Sequence, residues 1–220
     1  MNKHTKLALI LSIMGLTALL AGCAGIHGNG TPSTDKRLLS NFNAINLQGG
    51  YEVYIHINKN TQSHITISGD DNILPLITSN VEDNTLYIKK TKYIDKNLTL
   101  VLNIYTKNLE SLTINGAGKI NVPNLNNKQF YLDISGATSV TLSGTTNSLI
   151  ITSSGASDIN AEDLKAINGK IHLSGTSSAK IFVTGNLKAN ISGIGSITYY
   201  GNPKVVSQKI TGIGKINHFK

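Results

Sequence analysis

The sequence predicts an all-β protein whose strands form a β-solenoid, a stack of short coils of about 19 residues each. Two observations support this fold class. A glycine recurs every 18 to 20 residues in the second half of the chain, and apolar residues alternate with polar ones around each glycine. Alternation with period two is typical of half-buried strands, and a fixed period of this length is typical of repeat architectures. The glycines that define repeats 1 to 6 are Gly116, Gly136, Gly155, Gly175, Gly193 and Gly212.

Each repeat predicts a strand, a tight turn at the glycine and a second strand. Four positions before the glycine stand Leu112, Leu132, Ile151, Ile171, Ala189 and Gln208, and six positions after it stand Val122, Leu142, Ala161, Ile181, Tyr199 and His218. We expect these columns to point inward, with neighbouring coils about 4.8 Å apart. Their apolar character fades toward the C-terminus. A β-sandwich also has frequent turns, but it does not require a small polar residue before glycine at a fixed spacing.

The stretch from residue 41 to 108 is rich in strand patterns but irregular, and it predicts less regular first coils with an insertion. We expect this insertion to be an N-terminal cap, because the open end of a solenoid is an unpaired strand edge. Within it, Asp71 to Leu76 predicts a short helix with Pro75 in its first turn. Asp70 and Asp71 are interpreted as capping residues of that helix.

The first 22 residues predict a lipoprotein signal peptide. Two lysines precede an apolar run from Leu7 to Leu20, which is short for a membrane span and typical of export signals. The run ends in Leu20-Ala21-Gly22-Cys23, which resembles the bacterial lipobox, and Cys23 is the only cysteine of the chain. We therefore predict a lipid on Cys23 that anchors the protein to the membrane of the cell envelope.

Residues 23–40 predict a flexible tether, because they are rich in Gly, Pro and polar residues and lack periodicity. Residues 41–220 then form the folded domain. Since Ala24, and not Asp, follows the cysteine, the anchor is expected in the outer membrane if the cell is Gram-negative.

The turns of the repeats resemble those of a known family, the head GIN domain of auto-transporter adhesins. The matching segments are Gly118 to Asn121, Ser157 to Asn160 and Gly214 to Asn217. The stretch that begins Tyr51-Glu52-Val53 is similar to the family's opening strands, and the resemblance covers roughly residues 42–219. It implies a right-handed parallel β-helix in an exported, often lipid-anchored, bacterial adhesin.

Net charge gives a weaker indication of partners. The chain has 20 Lys and Arg against 12 Asp and Glu, and loss of residues 1–22 removes two lysines and leaves a net charge of +6. The lysines look dispersed, and Arg37 is the only arginine, whereas base and phosphate readout relies on Arg. We therefore expect no nucleic-acid partner.

Catalytic and metal-binding patterns are weak. Glycosidases need two facing carboxylates, but Asp133 and Asp158 occupy different positions in their repeats, and Glu162-Asp163 lies in a turn. His56 and His64 could meet across a hairpin, yet two exposed histidines do not make a zinc site. No catalytic, cofactor or metal site is predicted.

The sequence thus predicts a non-enzymatic, membrane-anchored adhesin or envelope-binding module, with a glycan or an envelope protein as partner. Two alternatives stay open: a polysaccharide lyase or hydrolase of the β-helix type, and a purely structural envelope module.

Overall fold

The computed structural model describes residues 25–94 and 98–219, and this part of the chain is all-β, as predicted. The predicted signal peptide and Cys23 lie outside the described residues. Within the described residues, no helix has the length and apolar character needed to cross a bilayer. The strands are β1 Pro32–Leu38, β2 Ala44–Ile57, β3 His64–Asp70, β4 Ile77–Glu82, β5 Thr85–Lys90, β6 Val101–Thr106, β7 Ser111–Ser153, β8 Ala156–Leu173, β9 Thr176–Val183, β10 Asn186–Ile191, β11 Ile194–Tyr200, β12 Val205–Ile210 and β13 Ile213–His218.

The repeats pair in parallel, each against the same positions of the next repeat. Ala137 of β7 is in register with Ala156 of β8, which is in register with Thr176 of β9. The series continues through Ile194 of β11 to Ile213 of β13. A strand that pairs in parallel with the equivalent strand one repeat later is joined to it by evenly spaced backbone hydrogen bonds.

The repeat glycines lie in one file. A Cβ built on Gly116 would collide with the backbone of Gly49, and one built on Gly136 with the backbone of Gly116. The same collision recurs from each repeat glycine to the previous one as far as Gly212. Glycine is therefore required at these corners because adjacent backbones approach too closely for any side chain. Gly49 extends the file, so β2 is in register with repeat 1, which the sequence pattern did not indicate.

The predicted inward columns form the core. Leu112, Leu132, Ile151 and Ile171 are all at most 1 % exposed, whereas Gln208, the last member of that column, is exposed. Strand β12 is exposed along its whole length. The apolar interior is therefore covered in repeats 1 to 5 and open at the last one, as the fading of the column predicts.

The N-terminal end departs from the predicted parallel β-helix because its sheet is mixed. Strands β2, β5 and β6 pair in parallel, but β1 with β3, β3 with β6, and β4 with β5 are antiparallel. Strand β1 lies inside the predicted tether of residues 23–40. Over Pro32–Leu38 the tether prediction is corrected: these residues form an edge strand of the folded body.

The predicted short helix is a 3₁₀ turn, Leu74–Leu76, with Pro75 at its start. The prediction that Asp70 and Asp71 cap it is wrong, because the turn has no side-chain cap. The two carboxylates instead accept hydrogen bonds from the incoming chain, Asp70 from the amide of Gly30 (2.8 Å) and Asp71 from the Asn29 side chain (2.6 Å). These two hydrogen bonds hold the segment around Asn29 and Gly30 against the cap.

Candidate functional site

Cationic side chains line one outer face of the C-terminal repeats. In strands β8, β10 and β12, buried Ile171 and Ala189 alternate with outward-facing polar residues. Lys188 is in register with Lys170, and Asn190 is in register with both His172 and Lys209. We call this surface the lysine face; it consists of Lys170, His172, Lys188, Asn190, Ser207 and Lys209.

The charge of the lysine face is not balanced by acidic residues. From residue 164 to the C-terminus the sequence contains eight lysines and no Asp or Glu. Within residues 25–94 and 98–219, no lysine of this face lies within ion-pair distance of a carboxylate. The lysines of this face look dispersed along the chain, so the prediction of dispersed charge was wrong here, although the acid-free stretch is a readable signal. Stacked, unpaired ammonium groups favour an anionic partner.

A second candidate site is a cavity of about 850 Å³ between the cap and repeat 1. We call it the Tyr51 cavity. Its apolar wall is formed chiefly by Tyr51, Ile94, Leu98 and Leu100, and its other side by the glycine corners of β2 and β7. The hydroxyl of Tyr51 donates to the Gln48 carbonyl at 3.1 Å, which keeps the ring folded over the Gly49 corner. Burial raises the pKa of Tyr51, so the phenol stays neutral.

The rim of the Tyr51 cavity is cationic. Lys90, Lys92 and Lys119 line it, and among the described lining residues the carboxylate is Glu52. The Lys90 ammonium lies 5.4 Å from the centre of the Tyr51 ring, and loss of hydration lowers its pKa. Glu52 accepts a 2.6 Å hydrogen bond from the Tyr54 hydroxyl, and this bond raises the pKa of Tyr54.

The histidines and aspartates that were weighed from the sequence as metal-binding or catalytic residues do not come together in a site among the described residues. His56 and His64 do not meet, because the Tyr105 ring stacks between them at centroid distances of 4.4 and 4.1 Å. Asp158 accepts a hydrogen bond from Ser178 of the next repeat, and Asp133 is exposed. In the described part of the chain, no three His, Cys, Asp or Glu side chains cluster in a way that could hold a metal ion.

Solved structures with a similar fold come from species of Bacteroides and Parabacteroides. A "putative adhesin" of Bacteroides fragilis is 23 % identical, with 89 % of this chain and all of that chain covered and a TM-score of 0.74. A "putative adhesin" of Parabacteroides merdae is 21 % identical, with 89 % and 99 % covered and a TM-score of 0.50. A "putative lipid binding protein" of Parabacteroides distasonis is also 21 % identical, with the same coverage and a TM-score of 0.49. At these identities, the first likeness shows a shared fold.

Among curated proteins, none matches the chain in sequence. A family model does match, over residues 41–203, which is most of the predicted folded domain. The predicted family resemblance is thereby confirmed; the turns at Gly118 and Ser157 lie within the matched residues, and the turn at Gly214 lies beyond them. The chain belongs to the family described as "putative auto-transporter adhesin, head GIN domain".

Proposed function

We propose that this protein is a lipid-anchored envelope module that binds an anionic glycan polymer through the lysine face. The observation that carries the proposal is the register of Lys170 with Lys188, and of Asn190 with Lys209, in a part of the chain without any acidic residue. The adhesin family to which the chain belongs supports a binding role at the envelope.

The proposed scaffold is a right-handed β-solenoid with a mixed N-terminal cap. Parallel pairing at one repeat per step, from Ala137 to Ile213, supports it. In such a scaffold, Lys170 and Lys188, which are in register on adjacent strands, are about 4.8 Å apart, and Lys209 lies two positions further along the next strand. One polymer can therefore contact all three. Contacts that are weak singly then combine through their high effective concentration. Lysine suits this role because its point charge accepts carboxylates, sulfates and phosphates in many orientations.

Membrane attachment is proposed through a lipid on Cys23. The apolar run of residues 7–20 followed by Leu20-Ala21-Gly22-Cys23 supports this, as does the absence of any other cysteine in the sequence. Metabolic labelling with an alkyne fatty acid tests it: the full chain should incorporate label and Cys23→Ser should not. Equal labelling of both would overturn lipidation. If the cell is Gram-negative, the proposed location is the outer membrane.

Binding is tested with polygalacturonate as the anionic polymer and dextran as the neutral one. The body from Gly25 onward, which carries all the described strands, should bind polygalacturonate and not dextran. Replacing Lys170, Lys188 and Lys209 by Gln should weaken binding at least about tenfold, because charge-assisted contacts contribute on the order of 1.5 kcal/mol each. The matched control replaces the exposed Lys59, Lys107 and Lys128, which removes the same charge elsewhere.

Two outcomes would overturn this proposal. The first is equal loss of binding in the two triple variants, which would mean that only net charge matters. The second is release of unsaturated or shortened products from polygalacturonate, which would indicate the enzyme alternative. Binding that falls steeply with salt in the native protein, and is lost only in the lysine-face variant, supports the proposal.

A further inference from the structure

The Tyr51 cavity has the size and lining of a small-molecule site. Its volume of about 850 Å³ falls within the usual range for ligand pockets, roughly 300 to 1,000 Å³. Leu98, Leu100 and the Tyr51 ring give it an apolar wall. Gly50, Ala117 and Gly118 line it with little or no side-chain volume, so the backbone corner leaves the space open.

Its charged groups indicate an anionic ligand. Lys90 is half-buried, and loss of hydration lowers its pKa. Among the described residues, no carboxylate lies within ion-pair distance of its ammonium group. Lys92 and Lys119 add two more cations to the rim. Glu52, the acid among the described lining residues, accepts a hydrogen bond from the Tyr54 hydroxyl. An ammonium that loses water and gains only the face of an aromatic ring in return is stabilised further by an incoming anion.

We propose that the Tyr51 cavity binds one acyl chain of an anionic lipid, with the chain against Tyr51, Leu98 and Leu100 and the head group at Lys90 and Lys92. The glycan-binding lysine face takes no part in this site. The two sites lie on different strands: the lysine face on β8, β10 and β12, and the cavity on β2, β5 and β7 together with the segments on either side of residues 95–97.

The source of the lipid follows from the path of the chain. The amide of Ile26 donates to the Tyr93 carbonyl at 2.9 Å, and Ile26 forms a bridge with Ile94 of the cavity wall. Cys23 precedes Ile26 by three residues, so it is at most about 11 Å away. This step rests on the proposed lipidation of Cys23, which holds the cavity at the bilayer surface. The occupant is then an anionic lipid of that membrane, because an anionic head group matches the charge of Lys90 and Lys92 and a neutral one does not.

The first test titrates the body from Gly25 onward with dodecanoate and with dodecanol, which has the same chain and no charge. Dodecanoate should bind about tenfold more tightly than dodecanol. Ala117→Trp places a large side chain in the cavity at an exposed position and should abolish binding of both. Lys90→Gln should weaken dodecanoate binding about tenfold and leave dodecanol unchanged.

The matched control is Lys89→Gln, which removes the same charge one residue earlier on β5, at an exposed position that does not line the cavity. It should bind dodecanoate like the native protein. Circular dichroism checks that each variant folds. If Ala117→Trp does not fold, the comparison of Lys90→Gln with the native protein still tests the site. No dodecanoate binding by the native body, or equal binding by the native body and a folded Ala117→Trp, would overturn the proposal.

The second test identifies the source. Vesicles of phosphatidylglycerol should retain the native body in sedimentation, and vesicles of phosphatidylcholine or the Ala117→Trp variant should show at least about tenfold less retention. Binding of dodecanoate without retention by either vesicle would overturn the membrane source. Cavity variants should bind polygalacturonate normally, and lysine-face variants should bind dodecanoate normally, so failure of one proposal is distinguishable from failure of the other.

Discussion

The six repeats and the N-terminal cap are one continuous sheet, yet they are held together in different ways. In the repeats, strands pair in parallel with their own equivalents, and the glycine file lets their backbones approach closely. In the cap, pairing is largely antiparallel, and single side chains make long-range bonds to the backbone. Arg37 is the main example, donating to the carbonyls of Ile77 (2.6 Å) and Leu74 (3.1 Å). Stability should therefore be spread over the covered repeats 1 to 5 and concentrated at few residues in the cap.

The largest effect is expected in the glycine file. Gly155→Ala places a methyl group against the backbone oxygen, nitrogen and carbon of Gly136, none of which can move without breaking the pairing of β7 with β8. We expect a loss of at least about 4 kcal/mol in unfolding free energy, or no folding. The control is Gly50→Ala, whose methyl group would be 3.5 Å from the nearest atom. Urea unfolding should distinguish the two, and similar midpoints would contradict the close approach.

The next effect compares an interior repeat with the last one at equivalent positions. Ile191 of β10 and Ile210 of β12 are in register, but Ile191 is 1 % exposed and Ile210 is 43 % exposed. Ile191→Ala should cost about 3 kcal/mol through the cavity it leaves, and Ile210→Ala should change stability by less than about 1 kcal/mol. Thermal and urea unfolding measure both. An equally large loss at Ile210 would mean that the last repeat is covered in solution.

The same contrast explains what could be predicted from the sequence. Parallel stacking repeats one local environment, so the columns at Leu112 and Val122 are visible as a period in the chain. The cap has no such period. Strand β1, Pro32–Leu38, lacks regular alternation because only one edge of it pairs and most of its side chains are exposed. Nothing in this segment distinguishes an edge strand from a tether, because the pairing depends on partners about 30 residues away.

The candidate sites show the same limit. The lysine face combines a readable signal, the acid-free stretch, with an alignment across β8, β10 and β12 that depends on the exact register. The Tyr51 cavity left no sequence signal, because it forms where the irregular cap meets repeat 1. Lys90 and Lys119 are far apart in the chain and line the same cavity only through the cap topology.

A smaller loss is expected from Arg37→Ala in the cap. The guanidinium also donates to the Ser79 hydroxyl at 3.1 Å and pairs with Asp35 at 2.8 Å. Removing it leaves two buried or half-buried carbonyls without this donor, at a cost of about 2 kcal/mol. Arg37→Lys should recover only part of this, because one ammonium cannot reproduce the fork of donors. Hydrogen exchange should show faster opening of β1 and β4 with repeats 3 to 5 unchanged; uniform acceleration would contradict a locally held cap.

The smallest effect is a pH dependence at the Tyr51 cavity. Lost hydration lowers the pKa of Lys90 below its ordinary value of 10.5, so between the two values the unfolded chain binds more protons than the folded one. Folding stability attributable to Lys90 therefore rises with pH across that window, and the penalty is fully present below it. The comparison of native protein with Lys90→Gln isolates Lys90, because the other charged or titratable groups at the cavity are the same in both proteins. These groups include Glu52, Lys92, Lys119 and Tyr51. In urea unfolding from pH 7 to 10, the native protein should gain stability relative to Lys90→Gln as pH rises, whereas Lys89→Gln should follow the native protein. A constant difference between native protein and Lys90→Gln would show that the Lys90 ammonium keeps its water in the folded chain.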